Sequence, residues 1–522
     1  MISDEVSHES RVGGARLVRL AAVVLAVLLL MMFLMAAAKR MRYPFELDRM
    51  ESAMMTTVWR VAHGMPIYTK PSLEWAPFLY APVFFWMSAL MTKVMGVQYA
   101  ALRMVSTLAT LGSCGVIYAL VYRDTRRVSV ALVSMGLFAG FYATVLGWYD
   151  IGRVDSLSVF FFLLALYCTR FGAWWLAAVV WVIAFQTKQG FLPVGVLAFL
   201  VYWQRPRRML LGMATYGVLA WLSVFLLNRQ TGGWYSYYVF GTVSQLHFKV
   251  RLAALYVPFD LVQPLGIALA MAGLAWYLRP PSWRSFRTTF YGYLTLLIVA
   301  GIGYARAHEG GYVNVLIPVY AWLAVIFGLA VGRLLEWAEA QERMGATTPA
   351  VLSTIVWALV LTQLAMHLYR PGEYTSQGGG LAGREAFLEE LRAMPGDVWV
   401  VNHSWDGIVA GKGSHAEMDA LDAVLLRGDK ATIDEVREAY AKHRFTAVIL
   451  DREPEQYKPD WLFGGQQFRT QYPMTAVAAG GGVLTLGDQP AMVFLPCAEG
   501  GGALGTSLRL DQTYVRQGEC RR

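Results

Sequence analysis

The stretch LAAVVLAVLLLMMFLMAAA, residues 20–38, runs for nineteen positions without a charge. As a helix rising 1.5 Å per residue it covers about 28 Å, close to the thickness of a bilayer's hydrocarbon core. Arg11, Arg16 and Arg19 precede it, and the run is too long for a secretion signal and lacks a convincing cleavage site. It reads as a first membrane-spanning helix with a cytoplasmic N-terminus, the side on which basic flanks are retained.

Working outward, ten further apolar runs follow at about 100–122, 128–147, 156–170, 173–186, 190–203, 209–227, 254–278, 288–304, 312–332 and 350–368. Those at 156–170, 173–186 and 190–203 are short for full spans and are expected to be tilted or broken. Basic residues punctuate the series at Arg123, Arg126 and Arg127, at Arg170, at Arg205, Arg207 and Arg208, at Arg279, Arg284 and Arg287, and at Arg333 and Arg343. About eleven spans put all of these loops in the cytoplasm, as the positive-inside rule requires, provided that the apolar stretch 76–95 does not cross. Pro77 and Pro82 interrupt its start, so it is expected as a re-entrant or interfacial helix within a long first external loop, 39–99.

Composition agrees. Over 522 residues the apolar set is 56% and charged residues are 16%, against roughly 25% charged in soluble proteins. Disorder, a collagen repeat, a disulfide scaffold and an ordinary soluble globule are excluded. The net charge of +9 sorts into cytoplasmic loops that face anionic lipid, and no basic run carries the interleaved aromatics of a nucleic-acid groove. The expected architecture is therefore a mainly α membrane domain, residues 1–369, followed by a small soluble α/β domain, 370–522, held outside the cytoplasm. Gly378–Gly380 reads as a joint between them. Val398–Val401 and Thr446–Leu450 read as buried strands around a helical stretch, Ala431–His443, with further strands at Gly482–Leu486 and Ala491–Leu495. Cys114 and Cys168 lie in apolar runs as packing residues, whereas Cys497 and Cys520 would bridge in an oxidising compartment. No spacing resembles a zinc site.

The out-of-place polar residues gather on the outer face. The first external loop carries Glu46-Leu-Asp48-Arg-Met-Glu51, a source of a general base or of solvated loop charge. Arg153-Val-Asp155 opens the helix at 156–170; Asp155 can cap it, and Arg153 can fork onto a phosphate. Thr187-Lys188-Gln189 breaks an apolar stretch where a lysine needs an anion or a route to water. Arg306-Ala-His308-Glu309-Gly-Gly-Tyr312-Val-Asn314 forms the fourth turn. Acids in the first two clusters and bases in the others indicate a site for an anionic, lipid-linked substrate. The aromatic segment Trp234–Phe248 reads as an interfacial belt or as a shelter for an isoprenoid chain.

Two more elements complete the pattern: Gly64-Met-Pro66-Ile-Tyr68, and Trp75-Ala-Pro77-Phe-Leu-Tyr80-Ala-Pro82. With the acidic motif after the first helix, Arg153-Val-Asp155 and Thr187-Lys188-Gln189, the chain resembles the GT-C superfamily of integral-membrane glycosyltransferases. It is similar to the protein O-mannosyltransferases and the lipid A aminoarabinose transferases over residues 17–370. The resemblance implies a multi-pass protein of the bacterial inner membrane that moves a sugar from a polyprenyl-phosphate carrier to a glycan, lipid or protein acceptor at the outer face. It implies Asp48 as the general base, with Glu46 and Glu51 as second choices. Arg153, Lys188 and His308 would hold the donor phosphate. Asp155, Gln189, Glu309, Trp75 and Tyr80 would contact sugar or acceptor. In the external domain the loop Asn402–Gly407 follows an expected strand, and with His403 and Asp406 it reads either as part of an acceptor site or as a folded cap with no chemistry. No residue is assigned to a metal, although some branches of the superfamily use a divalent cation, and the chain has no Asp-x-Asp pair. Relatives often place a Lys or His before a double proline, where this chain has Glu74-Trp75 and separated prolines. Two other classes share the spans. A flippase or transporter of lipid-linked saccharides would show internal repeats and mid-membrane charges. A non-catalytic scaffold would not need Asp48, Arg153 and Lys188 together.

Overall fold

The computed structural model describes residues 2–242, 247–278, 285–341, 347–374, 378–425 and 427–451, together with strands at 474–478, 492–495 and 514–517. Cys497, Cys520 and the expected strand at 482–486 lie outside the described residues. Helices dominate. Eight are long and apolar enough to cross a membrane: Gly13–Met41, Tyr99–Thr125, Val154–Phe171, Pro206–Thr231, Val250–Tyr277, Phe286–Arg306, Val313–Glu339 and Thr348–Ala365. Four shorter apolar helices accompany them, at Val83–Met95, Val128–Thr144, Trp174–Thr187 and Phe191–Tyr202. Each of the eleven apolar runs of the sequence falls on one of these twelve helices. The twelfth is the stretch set aside as non-crossing: it is helical only over Val83–Met95, with Pro82 at its N-cap. Thirteen residues make about 20 Å of helix, short of the hydrocarbon thickness.

The first seven helices are α1 (Ile2–Met41), α2 (Arg49–Ala62), α3 (Val83–Met95), α4 (Tyr99–Thr125), α5 (Val128–Thr144), α6 (Val154–Phe171) and α7 (Trp174–Thr187). The Val313–Glu339 helix is the axis of the bundle: 83% of its apolar window is buried, against 22% for Pro206–Thr231, whose apolar side chains face outward. Small residues set the closest crossings, as they do where helices gain nothing from excluding water. A Cβ on Gly136 of α5 would lie 2.5 Å from the Cα of Ala26, so α1 and α5 meet backbone to backbone. On the axis helix, a Cβ on Gly328 would come within 2.7 Å of the Ser134 hydroxyl.

Two buried arginines fasten the first external loop to this bundle. Arg40, at the end of α1, donates Nη1 to Asp150 Oδ1 at 2.7 Å and to the Gly147 carbonyl at 2.7 Å, and also reaches the Tyr142 hydroxyl. Arg103 of α4 donates to both carboxylate oxygens of Glu51 and to the carbonyls of Arg40, Tyr43 and Phe45. Glu51 in turn accepts the amides of Leu47, at 2.7 Å, and Gly152, at 2.6 Å. Both Glu51 and Arg103 are fully buried. One ion pair thus holds the chain on either side of Asp48 and the turn that leads into Arg153.

Beyond the last span, a helix at Gly378–Ala393 leads into the strands. The three glycines expected as a joint form its first turn, where the backbone amides have no intrahelical partners in any case. Strand β1 (Val398–Val400) runs parallel to β2 (Ala447–Leu450) with Val398 opposite Ala447, and both are buried. The Lys430–Ala441 helix precedes β2, as a strand–helix–strand crossover requires. Strands β3 (Met474–Ala478), β4 (Met492–Leu495) and β5 (Tyr514–Gln517) complete a sheet of order β1-β2-β4-β3-β5, antiparallel beyond β2.

The C-terminal elements sit on the first external loop. Arg49 forks onto Asp419 at 2.9 and 3.1 Å, and Ser52 accepts the Trp405 amide at 2.9 Å. The Ala416 amide donates to the Leu73 carbonyl at 2.8 Å. The aromatic segment starting at Trp234 differs from an interfacial belt. Tyr235 and Tyr238 are buried, with Tyr235 donating to Gln186 and Tyr238 to the Thr69 carbonyl, so these phenols brace the loop from within.

Candidate active site

Asp48 is the N-cap of α2. Its backbone is extended (φ −143°, ψ 138°), and its carboxylate accepts the Met50 amide at 3.1 Å. This leaves acceptor capacity, and 20% of the side chain stays exposed, in contrast to Glu51. Burial pushes the Asp48 pKa above the usual carboxylate range, and Arg153 only partly opposes it. Glu51 behaves the other way: burial would raise its pKa, but the Arg103 charge and four hydrogen bonds hold it below the usual range.

Arg153 caps the start of α6 and turns its guanidinium back across the loop. Nη1 meets Asp48 Oδ1 at 3.0 Å, Nη2 donates to the Tyr80 hydroxyl at 3.1 Å, and the plane lies 4.5 Å over the Trp148 ring. Burial alone would lower its pKa; Tyr80, Asp48 and Asp155 raise it, so the group stays charged. Arg153 Nε approaches Asp155 Oδ2 at 3.5 Å. Asp155 Oδ1 accepts from Lys188 Nζ at 2.7 Å and from Asn314 Nδ2 at 2.9 Å. Lys188 follows the last turn of α7 with 22% of its side chain exposed, and the adjacent Gln189 donates to the Leu79 carbonyl at 2.6 Å.

Segments separate in sequence therefore converge: the acidic loop, the Trp75–Pro82 segment, the N-terminus of α6, the end of α7 and the start of the axis helix. Two acids and two bases alternate as Asp48–Arg153–Asp155–Lys188 with no net charge. Around them, Gln189 Oε1 and Asn314 Oδ1 are buried without a hydrogen-bond partner among the described residues, while Arg153 Nε and Asp155 Oδ2 meet only as the 3.5 Å ion pair. Buried polar atoms are seldom left so, and two free amide oxygens beside a loosely closed ion pair fit a polar ligand. Asn314 was quoted in the fourth turn but given no role by the sequence; a single amide at the mouth of an apolar helix is its only mark.

The other residues singled out by the sequence lie elsewhere or are engaged. Trp75 donates its indole N–H to the Ile67 carbonyl at 2.7 Å and carries the Arg60 guanidinium 4.3 Å above its ring, which shapes the loop beneath Tyr80. His308 donates from Nδ1 to the Tyr304 carbonyl at 2.8 Å and packs on Phe248, while Glu309 pairs with Lys249 and His247. These two form their own turn, apart from Arg153. His403 and Asp406 are buried beneath the C-terminal sheet, not open to an acceptor. His403 pairs with Glu46 and, at 2.8 Å, with Asp451; Arg384 donates to Glu46 at 3.1 Å and to Asp406 at 2.6 Å. Burial would lower the His403 pKa, but Asp451 and Glu46 push it up to about 10. Burial raises that of Glu46, against the pull of His403 and Arg384.

Glu46, His403 and Asp406 present ligand atoms within 4.8 Å of one another, a spacing that could hold a metal ion. The donor set fits one poorly. Arg384 already directs a guanidinium into both carboxylates, and His403 carries its own proton, so protein cations occupy the charge that a metal would balance.

The sequence profile of the dolichyl-phosphate-mannose-protein mannosyltransferase family matches residues 79–259, which include Tyr80, Arg153, Asp155, Lys188 and Gln189. No curated protein matches the sequence significantly. Among solved structures, ArnT from Cupriavidus metallidurans bound to undecaprenyl phosphate superposes with a TM-score of 0.60 at 12% identity, covering 94% of this chain and 99% of that one. ArnT in the apo state gives 0.58 at 13% identity, with the same coverage. The archaeal oligosaccharyltransferase AglB from Archaeoglobus fulgidus, in complex with an inhibitory peptide and a dolichol-phosphate, gives 0.53 at 10% identity, covering 95% of this chain and 75% of that one. The family match over residues 79–259 and the ArnT-like fold make the chain similar to the GT-C superfamily of integral-membrane glycosyltransferases.

Proposed function

We propose that this protein transfers a sugar from a polyprenyl-phosphate-linked donor to an acceptor hydroxyl at the outer membrane face, with Asp48 as general base. The observation that carries the reading is the Asp48–Arg153–Asp155–Lys188 chain, which sets a partly open carboxylate beside two cations at the mouth of the spans. Undecaprenyl phosphate bound to ArnT and dolichol-phosphate bound to AglB support a lipid phosphate as the donor's carrier.

In this mechanism Asp48 takes the proton of the acceptor hydroxyl, whose oxygen attacks the anomeric carbon of the donor. The bond from that carbon to the phosphate oxygen breaks, and polyprenyl phosphate leaves with the electron pair. Arg153 and Lys188 stabilise the charge that develops on the leaving phosphate, a placement that typically supplies the largest part of such catalysis. Lys188 can turn from Asp155 to the phosphate because Asn314 continues to hold the carboxylate. The raised pKa of Asp48 brings it nearer to the range where a carboxylate accepts a proton at neutral pH. Glu46 and Glu51 fit a base less well, since both are buried in ion pairs. Residues 370–522 form, on this reading, an outer domain that covers the first external loop and contributes to acceptor selection.

The test is lipid extraction and mass spectrometry of cells lacking the chain. The proposal expects an accumulated polyprenyl-phosphate sugar together with a glycan, lipid or protein that has lost the same sugar. Unchanged carrier lipids and unchanged envelope glycans would overturn it.

A further inference from the structure

At the opposite end of the bundle, α1, α5, the Val313–Glu339 helix and the Thr348–Ala365 helix surround a cavity of about 1120 Å³. It exceeds the roughly 300–1,000 Å³ of pockets that take drug-sized ligands. Arg16 on its rim and Arg40 beside the candidate active site are 24 positions apart on α1, about 36 Å at 1.5 Å per residue. The cavity therefore lies on the other side of the membrane from Asp48.

Its lining is charged at one level and apolar at the next. Arg16 and Arg19 project from adjacent turns of α1, and Arg127 stands at the start of α5. Glu339 is the one acid in the lining, and Arg127 already grips it, Nη1 to Oε1 at 2.7 Å and Nη2 to Oε2 at 2.5 Å. Arg16 and Arg19 have no hydrogen bond or ion pair with any described residue, so among the described lining residues their two positive charges have no acidic partner. Basic loops on the cytoplasmic side explain arginines at this depth. They do not explain two unpaired arginines facing one cavity whose inner wall, with Leu132 and the buried Trp357, continues along the membrane-spanning helices.

We propose that this cavity is a binding site for an anionic phospholipid of the cytoplasmic leaflet. The phosphodiester sits between Arg16 and Arg19, and the first part of an acyl chain lies along Leu132 and Trp357. Charge complementarity selects an anionic over a zwitterionic lipid, and the apolar inner wall selects a lipid over a soluble phosphate. Basic pockets between spans bind anionic headgroups in this way, with the arginines acting as near-surface charges. The site is independent of the transfer reaction, so its test stands or falls apart from that of Asp48.

The experiment uses the full-length protein, purified and delipidated in neutral detergent, with native mass spectrometry counting added phosphatidylglycerol or phosphatidylcholine. Phosphatidylglycerol is expected to be retained at least tenfold better. R16Q/R19Q should weaken retention about fivefold for each arginine, roughly 25-fold together, while its lipid-free melting temperature stays unchanged because both side chains are exposed. Glu339→Gln, which releases Arg127 into the cavity, should strengthen retention. Equal retention of the two lipids, equal retention by R16Q/R19Q, or weakened retention by Glu339→Gln would each overturn the proposal. Displacement of phosphatidylglycerol by millimolar inorganic phosphate or glycerol phosphate would overturn it as well, by making this a soluble-anion site.

Discussion

Glu51 and Asp48 stand three residues apart and could be confused as catalytic acids; replacing Glu51 by Gln separates their roles. Glu51 Oε1 accepts from Arg103 Nε at 2.9 Å and from the Gly152 amide at 2.6 Å, while Oε2 accepts from Arg103 Nη2 at 2.7 Å and from the Leu47 amide at 2.7 Å. Every donor points at the carboxylate, so whichever way a Gln amide is turned, its NH2 faces two donors. The change also leaves Arg103 buried without a counter-charge. Removing one partner of such a pair costs about 3–5 kcal/mol. At roughly 2 °C per kcal/mol, the figure for larger domains, the melting temperature in detergent should fall by about 6–10 °C. The loss should have a pH signature. Because the folded pKa of Glu51 is depressed, its stabilisation is present above the unfolded value of about 4.3 and disappears as pH falls through the lower folded value. The melting temperatures of the parent and Glu51→Gln should therefore converge in acid. An unchanged melting temperature at neutral pH would refute the anchoring role, and lost transfer at full stability would make Glu51 the base.

Three further outcomes follow from the same geometry. Gly136→Ala puts a methyl group against the Ala26 backbone, which cannot give way as a flexible side chain would, and should destabilise by about 1–3 kcal/mol or more, read as a lower melting temperature. The raised pKa of His403, faced by Glu46 and Asp451 with Arg384 and Asp406 behind, contributes stability fully below about pH 6.5 that is lost as pH rises through about 10. His403→Gln should flatten this part of the melting-temperature profile between those limits, and a parallel profile would contradict it. Arg153→Lys cannot reach both Asp48 and Tyr80 or keep the planar stack on Trp148. Loss of one charge-assisted hydrogen bond, about 1.5–3 kcal/mol, should weaken polyprenyl-phosphate binding roughly 10- to 150-fold in a titration.

The membrane helices were legible because hydrocarbon imposes a length and a polarity on them: each of the eleven apolar runs lies on a helix, and among the described residues eight helices are long and apolar enough to cross. The exclusion of 76–95 rested on Pro77, Pro82 and the loop charges, and the helix there begins directly after the second of these prolines. Local β patterning also carried through, from Val398 and Ala447 to the parallel pair β1 and β2. What periodicity could not convey was partnership. Glu46, Asp48 and Glu51 are equivalent as letters. The structure separates them only through residues far along the chain: Arg384 and His403 for the first, Arg153 for the second, Arg103 for the third. The same holds for the loop after Trp234, where tyrosines suited to an interface instead bond to Gln186 and the Thr69 carbonyl. His403 and Asp406 looked like loop residues after a strand, and it took the docking of that strand on the first external loop to bury them.

The most direct measurement is sugar transfer by Asp48→Asn in membranes supplied with the polyprenyl-phosphate sugar. Asn caps a helix as well as Asp and is nearly isosteric, so α2 and its contacts should persist and the carrier lipid should bind as before. The ability to take a proton is removed, together with one of the charges facing Arg153, which keeps Asp155 and Tyr80 as partners. The account expects transfer to fall by about 10²–10⁴, the usual contribution of a positioned general base, with melting temperature and lipid affinity little changed. Transfer at the parent rate would contradict it.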